Sequence, residues 1–473
     1  MEIQDKAMNE RNKSPSSSVP KIDYLVTLYG REKAVLWVMG ALQVVWLGGI
    51  GLLGASSNWA KLIGIAIYSL IAMGVVLVFS DRLALDRLEK VRPVFRDDKQ
   101  LILIVLGLCL LTGVIYANFQ RVWVFDEEEN YRLASVFASQ GVAEFLSEYS
   151  QSPYFANQHP PLIALVYGSV MSVFGSNLLV SRLVSLMFCI GILWLTFLCG
   201  RELFDSQTGL LSAGLLFTFP LIMRLGTVAM LDIPVTFFFI LSIYLFFSLV
   251  KKPSLWKAAF LCIAISTGFL SRYSGIFVVP VLGVFALLTP TYRRVIPYLI
   301  LAFILVGLML LGWLIFMHSL GMTVPNISTF IPIGLNLGET PNRSVLPGWV
   351  IRGGEYQVWR WVLNSLITRL PSGIGVHNLP LIVLGAGLVV NLRRLPGLML
   401  ITWIVVVSLI LLFTLPDHRY FMPTFPAMAI LAGFWLRDRS VIAIPALTLG
   451  MLLVIGDLYL FVDWQREAQL FSP

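Results

Sequence analysis

The chain has 473 residues, of which 58% are hydrophobic and 13% are charged. Soluble proteins are about 45–50% apolar and about 25% charged, so this balance excludes a soluble globular domain, a disordered chain and a small disulfide-built secreted domain. The formal net charge of +8 would suggest nucleic acid in a soluble protein, but in an apolar chain it raises the question of which membrane side holds the excess.

Apolar runs recur along the chain, and most are long enough to cross about 30 Å of hydrocarbon. They predict an all-α polytopic membrane protein of about thirteen transmembrane helices, at 35–54, 59–79, 101–119, 180–199, 209–225, 233–250, 258–271, 275–289, 296–318, 379–392, 397–415, 422–437 and 441–462. The apolar stretch 161–175 has only 15 residues. We expect it to be a helix that lies in the membrane interface.

Basic residues divide unevenly between the two predicted sides. With a cytoplasmic N-terminus, the inner segments hold 22 of the 34 Lys and Arg residues, whereas the acidic residues divide 13 and 13. The net charge is therefore +9 inside and −1 outside, as the positive-inside rule requires. If 161–175 crossed the membrane, every later loop would change sides and this pattern would invert.

This topology predicts four regions. Residues 1–34 form a cytoplasmic tail, and 35–100 contain two transmembrane helices and a charged cytoplasmic linker. Residues 101–437 form the functional core with two large outer loops, 120–179 and 319–378, and 438–473 hold the last helix and a short tail.

The first candidate site is the run from Asp126 to Glu129 in the first outer loop. A helix cap explains part of it, with Asp126 as the cap and Glu129 as the partner three residues on. A carboxylate at this surface could instead act as a general base or orient an acceptor. His159, just before two prolines, also faces the outer side, so a divalent metal held by outer His and carboxylate groups stays an alternative, although the spacing matches no ligand motif.

Further charged residues fall at outer ends of predicted spans. Asp232 precedes a proline and could be a simple cap, while Arg272 and Arg419 could reach lipid headgroups. Together with Arg182 they place several cations beside the outer carboxylates. Because guanidinium groups bind phosphate bidentately, the pattern favours a lipid phosphate as ligand. The implied chemistry is transfer of a group from that phosphate to an acceptor.

Short motifs in a fixed order resemble those of a known family. QHPPL, SRLVSL, RELFDSQTGLLSAGLLFTFPLI, AMLDIPVTFFF, GFLSRYSGI and HRYFMPTFPAMAIL follow an acidic pair after an early span. The order resembles that of the C-class (GT-C) glycosyltransferases, which include the protein O-mannosyltransferases and the lipid A aminoarabinose transferases. The resemblance covers roughly 101–437. It implies a GT-C-like bundle with interfacial helices in the outer loops, and an inverting enzyme whose donor is a polyprenyl-phosphate sugar.

The resemblance also implies roles for individual residues. Asp126 matches the family's catalytic acid, with Glu127 and Asp232 as further acids of the catalytic group. Donor-phosphate binding is expected from Arg272, Arg419, Tyr420 and His159. Tyr131, Arg182 and Tyr273 are expected to line the substrate pocket. Two features depart from the family: the spans before residue 101 are extra, and Arg272 stands where many relatives have lysine.

The sequence leaves other functions open. A flippase or transporter of lipid-linked sugars has the same topology, although no internal repeat is visible and the polar groups gather at span ends. A non-catalytic scaffold would give the outer acids and arginines no function. The expected partners are the lipid-linked donor, an acceptor that is a protein, lipid or glycan, and membrane lipids, with no nucleic acid. The expected location is a bacterial inner membrane with an extracytoplasmic site, and an endoplasmic reticulum membrane with a lumenal site has the same topology.

Overall fold

A computed structural model describes residues 34–43, 45, 98–119, 125–152, 155, 159–321, 366, 369–413 and 418–460. Within these ranges the chain is helical and contains no β-strand. The predicted tail, the span 59–79, most of the linker 80–100 and residues 322–365 of the second outer loop lie outside the described residues.

The α-helices follow each other with short connections. In chain order they are α1 (Ala34–Gln43), α2 (Asp98–Phe119), α3 (Phe125–Gln140), α4 (Val142–Gln151), α5 (Leu162–Phe174), α6 (Leu178–Leu203), α7 (Ser206–Phe217), α8 (Pro220–Gly226), α9 (Asp232–Lys251), α10 (Leu255–Ser271), α11 (Val278–Leu288), α12 (Ile296–Ser319), α13 (Leu370–Ile374), α14 (Leu379–Asn391), α15 (Leu395–Phe413), α16 (Phe425–Leu436) and α17 (Ser440–Leu460). Short 3-10 helices lie at Tyr273–Phe277, Pro290–Val295, Val376–Asn378 and His418–Thr424.

Several of these helices can cross a membrane. In the part of the chain that the structure describes, four are long and apolar enough, at Gln100–Asn118, Leu178–Leu203, Asp232–Lys251 and Tyr292–Ser319. Shorter apolar helices occupy the positions of most other predicted spans. The helical membrane architecture is therefore confirmed, while the number thirteen and the interfacial position of α5 stay predictions.

One predicted span is not a single helix. The sequence predicts one continuous span over 209–225, but α7 and α8 meet at an angle of 69°. The break falls at Thr218 and Phe219, just before Pro220. A residue that precedes proline is pushed out of the helical conformation, whereas proline fits well in the first turn of the next helix.

Small residues allow the helices to pack closely, as is common in membrane proteins. Gly200 of α6 lies against Gly209 of α7, and Gly433 of α16 lies against Ser212 of α7. Gly385 of α14 contacts the main chain of Leu431 in α16. These contacts hold α6, α7, α14 and α16 together at the centre of the bundle.

The long helices define two ends of the bundle. Helix α9 runs from Asp232 to Lys251, and near Lys251 the end of α6 contributes Glu202, whose Oε1 lies 2.6 Å from the Lys251 Nζ. Asp232 lies at the opposite end of α9, close to the start of α3 with Asp126, since the Ala229 amide donates to the Glu127 Oε1. We call these the Asp126 end and the Lys251 end.

Candidate active site

Asp126 forms an ion pair with Arg419 at the Asp126 end. The Arg419 Nη1 donates to the Asp126 Oδ2 over 2.8 Å, and the two side chains keep 19% and 22% of their surface exposed. Asp126 lies in the first turn of α3, where the helix dipole favours acidic residues. Because α3 already begins at Phe125, Asp126 lies inside the helix and is not its cap.

Asp232 and Arg272 form a second pair, which is almost completely buried. Asp232 is the first residue of α9 and Arg272 follows the last residue of α10. The Arg272 Nη1 donates to the Asp232 Oδ1, and the guanidinium lies 4.2 Å from the centre of the Tyr420 ring. The second oxygen of Asp232, Oδ2, is buried and accepts no hydrogen bond from any described residue.

The 3-10 helix His418–Thr424 connects the two pairs. Its consecutive residues Arg419 and Tyr420 contact different groups, since Arg419 binds Asp126 and Tyr420 stacks on Arg272. Two acids and two arginines from four separate elements therefore meet around one short turn. Such a group can neutralise a phosphate and can also accept a proton.

Electrostatic interactions shift the pKa of Asp126. Burial alone would raise it, but the charge and the hydrogen bond of Arg419, with a weaker contribution from the charge of Arg272, outweigh burial, so the pKa of this carboxyl lies below its usual value. Asp126 is therefore ionised at neutral pH. A carboxylate that is paired in this way is a weak base until the arginine is drawn away.

His159 lies beside these charges and is buried. Burial, together with the positive charges of Arg272 and Arg419, lowers the pKa of His159 to about 3, although Asp126 acts in the opposite direction. The imidazole is therefore neutral at physiological pH and can offer a hydrogen bond but no charge to a phosphate. The Tyr149 hydroxyl fixes the position of His159 by donating to its carbonyl oxygen over 3.0 Å.

Glu127 and Arg182 bind each other in the interior. The Arg182 Nε and Nη2 donate to the two Glu127 carboxylate oxygens, each over 2.8 Å, and neither side chain is more than 4% exposed. The Ala229 amide also donates to the Glu127 Oε1 over 3.0 Å. Both residues thus lie at the Asp126 end, as predicted. Their charged groups are buried against each other and are not exposed at the surface.

The tyrosines predicted to line a pocket also make internal contacts. The Tyr131 hydroxyl donates to the Ser176 carbonyl oxygen over 3.2 Å, and the Tyr273 hydroxyl lies 3.7 Å from the Met317 Sδ. Tyr273 is buried next to Arg272, whereas Tyr131 lies one turn beyond Glu127 on α3. Their role in substrate binding stays a prediction.

Two contributors to the site are not evident from the sequence. Tyr149 supports His159, and the Tyr167 hydroxyl donates to the Met230 carbonyl oxygen over 3.0 Å, which anchors the segment before Asp232. Both tyrosines lie in apolar helical faces that resemble ordinary core. Among the described residues, no three His, Cys, Asp or Glu side chains are arranged so that they could hold a metal ion.

Comparison with known proteins supports the sequence resemblance. Residues 158–313 match the family described as dolichyl-phosphate-mannose-protein mannosyltransferase. This segment contains His159, Arg182, Asp232 and Arg272 but neither Asp126 nor Arg419. No curated protein matches the chain.

Solved structures share the fold. ArnT from Cupriavidus metallidurans in the apo state aligns with a TM-score of 0.52 and 16% identity over 72% of this chain and 59% of that protein. The same protein bound to undecaprenyl phosphate aligns with a TM-score of 0.50 and 15% identity over 72% of this chain and 60% of that one. An Archaeoglobus fulgidus oligosaccharyltransferase with Zn and sulfate aligns with a TM-score of 0.48 and 14% identity over 74% and 52% of the two chains. The chain thus spans about three fifths of the length of ArnT.

Proposed function

We propose that this chain, a member of the GT-C superfamily by its fold and by the matching segment 158–313, is an inverting glycosyltransferase that uses a polyprenyl-phosphate sugar. The acceptor is a hydroxyl or amine of a protein, lipid or glycan. The observation that carries the proposal is the pair of Asp–Arg contacts joined by Arg419 and Tyr420.

The residues divide between the leaving group and the acceptor. Arg272 and Arg419 neutralise the phosphate as it departs, because guanidinium groups stabilise the charge that develops on its oxygens. Asp126 orients the acceptor and takes its proton. The acceptor atom bonds to the anomeric carbon from the face opposite the phosphate, the carbon–oxygen bond to the phosphate breaks, and polyprenyl phosphate leaves. One displacement of this kind inverts the anomeric centre.

Donor binding would also prepare the base. In the structure Arg419 holds Asp126 at 2.8 Å and lowers its pKa. A donor phosphate competes with Asp126 for the same guanidinium. As Arg419 turns toward the phosphate, the pKa of Asp126 rises toward the value of an unpaired carboxyl and the group becomes a better base. The neutral His159 can donate a hydrogen bond to the same phosphate.

Two observations support a polyprenyl-phosphate donor. A polyprenyl chain fits a protein whose site lies at the end of an apolar helix bundle, and ArnT, which has a similar fold, binds undecaprenyl phosphate.

A transfer assay with purified protein tests the proposal. Wild type and Asp126→Asn are supplied with a panel of polyprenyl-phosphate monosaccharides, acceptor lipids and peptides, and released polyprenyl phosphate is followed by mass spectrometry. We expect release by wild type and a loss of at least about 100-fold in Asp126→Asn, since a general base contributes about 10²–10⁴-fold. The same panel with a chelator decides the question of a metal.

Glu128→Gln is the matched control, because it makes the same change of charge at an exposed position two residues away. It should retain activity within about twofold, as exposed substitutions usually have small effects. Near-normal turnover by a folded Asp126→Asn protein would overturn the assignment of the base. No release from any donor by folded wild type would favour a transporter or a scaffold.

A further inference from the structure

The buried pair of Glu127 and Arg182 connects four parts of the chain at the Asp126 end. Arg182 on α6 donates to both oxygens of Glu127 on α3, and its Nη1 donates to the Ala117 carbonyl oxygen near the end of α2 over 3.0 Å. The Glu127 Oε1 additionally accepts from the Ala229 amide in the segment before α9. One carboxylate and one guanidinium thereby fasten α2, α3, α6 and the 227–231 segment to each other.

The two ends of this network adjoin the two reactive acids. Glu127 directly follows Asp126, and Ala229 lies three residues before Asp232. Tyr167 of α5 anchors the same segment through the Met230 carbonyl oxygen. The separation between the Asp126–Arg419 pair and the Asp232–Arg272 pair therefore depends on the Glu127–Arg182 contact.

The surroundings of Glu127 leave no position for a substrate. Its side chain has no exposed surface, and its two oxygens accept three hydrogen bonds from the protein. Asp126 differs because 22% of its side chain is exposed, and Asp232 differs because its buried Oδ2 accepts no hydrogen bond from the described residues. A buried ion pair is by itself weak evidence of stabilisation, since well-packed apolar residues of similar volume often stabilise a protein equally well.

We propose that Glu127 is a positioning residue, which through Arg182 and the Ala229 amide holds Asp126 and Asp232 at the separation that transfer requires, and that it touches neither donor nor acceptor. This inference rests on the proposed function for its kinetic part. It also departs from the sequence-based expectation that Glu127 belongs to the catalytic acids.

A double-mutant cycle tests the proposal. The variants are Glu127→Gln, Arg182→Met and the two combined, each compared with wild type for kcat, donor KM and apparent Tm in detergent. Each single variant leaves one buried charge without its partner, so both should lower the Tm and lower kcat by about 100-fold, as a misplacement of about 1 Å can. The double variant should be no worse than the worse single variant, because both changes remove the same contact.

The kinetic pattern separates positioning from contact with substrate and from a purely structural role. Displaced reactive groups lower kcat at a temperature well below the Tm, while the donor KM stays within about threefold. Losses in kcat that multiply in the double variant would overturn the proposal. A loss in Glu127→Gln that leaves the Tm unchanged would do the same, and so would normal kcat in a variant with a lowered Tm.

The Tm part of the cycle needs no donor. If no polyprenyl-phosphate sugar is turned over, non-additive changes in Tm still support the contact between these residues, while the proposed function alone fails. Should the single variants not fold, Arg182→Lys keeps the charge but cannot bind both oxygens. We expect it to fold and to lose kcat, and unchanged kcat in this variant would contradict the proposal. Glu128→Gln again serves as the control, with unchanged kcat and Tm.

Discussion

Four consecutive acids at the start of α3 meet four different surroundings. Asp126 pairs with Arg419, and Glu127 is buried against Arg182. Glu128 is exposed, while Glu129 binds Arg132, which also binds Glu148 over 2.7 Å. Four acids that look equivalent in the sequence are thus a candidate base, a buried anchor and two surface groups. They differ because successive residues of a helix point about 100° apart.

The pKa values of Asp126 and His159 predict how transfer depends on pH. A carboxyl with a lowered pKa stays ionised as the pH falls, and the Asp126–Arg419 pair is lost only when the pH drops through the folded-state pKa, below the ordinary value of 3.8. His159, with a pKa of about 3, stays neutral over the same range. Because kcat/KM reports the groups of the free enzyme, we expect kcat/KM for the donor to change by less than about threefold between pH 5 and 7.5.

This profile is measured with wild type and with His159→Gln, which cannot become positively charged. The two proteins should have profiles of the same shape, whatever their absolute rates. A loss of activity centred near pH 6.5, present in wild type and absent from His159→Gln, would mean that His159 titrates with an ordinary pKa.

Stacking on Tyr420 should matter more than its hydroxyl. The Arg272 guanidinium lies 4.2 Å from the ring centre, and such a contact is worth about 0.5–2 kcal/mol. If Arg272 binds the donor phosphate, Tyr420→Leu should raise the donor KM by about 2- to 30-fold, whereas Tyr420→Phe should leave it within about twofold. Initial rates over a range of donor concentrations measure both, and equal effects of the two substitutions would assign the role to the hydroxyl.

At the level of helices, the sequence predicts where each helix lies along the chain better than it predicts where a helix bends. Apolar runs of about 20 residues show where helices occur because lipid requires every backbone group to be paired within the segment. The bend between α7 and α8 has only the signal of Pro220, which also fits a helix start, so the run 209–225 reads as one span.

The pairing between distant residues is equally hard to predict. Asp126 and Arg419 are 293 residues apart and Glu127 and Arg182 are 55 apart. Charge patterns show that these residues share one end of the bundle, and the family resemblance groups most of them as a site. Neither tells which acid contacts which arginine, because that depends on how α3, α6 and the 3-10 helix at 418–424 pack.

Close packing between α14 and α16 predicts a contrast between two glycines of α14. A methyl group on Gly385 would collide with the main chain of Leu431, whereas one on the exposed Gly387 would meet nothing within 4 Å. Gly385→Ala should lower the apparent Tm, consistent with about 1–3 kcal/mol for overpacking. Gly387→Ala should leave the Tm unchanged or slightly higher, as alanine favours the helix. Thermal unfolding in detergent measures both, and equal Tm values would contradict the observed packing.

The distribution of charge over the bundle predicts its orientation. Basic residues gather at the Lys251 end, where Arg437 binds Asp205 over 3.0 Å and Arg294 donates to the Val250 carbonyl oxygen over 2.6 Å. From the positive-inside rule we expect that end to face the cytoplasm and the Asp126 end to face the opposite side.

Cysteine labelling in intact cells tests this orientation. The four native cysteines are buried, so background labelling should be low. Gln140, at the end of α3 in the predicted first outer loop, and Lys252, just after α9, are both exposed. Gln140→Cys should react with a membrane-impermeant maleimide in intact cells, whereas Lys252→Cys should react only after the membrane is opened. The reverse pattern would contradict the proposed orientation.

The balance of charge around the 3-10 helix at 418–424 has a consequence for the end of each reaction cycle. The negative charges of Asp126 and Asp232 formally cancel the positive charges of Arg272 and Arg419. The proposed donor is a phosphodiester with one negative charge, whereas the released polyprenyl phosphate is a monoester whose second pKa is about 6. The same two arginines should therefore hold the spent carrier more tightly than the donor at neutral pH. We therefore expect polyprenyl phosphate added to initial-rate assays to inhibit transfer more strongly at pH 7.5 than at pH 5.5.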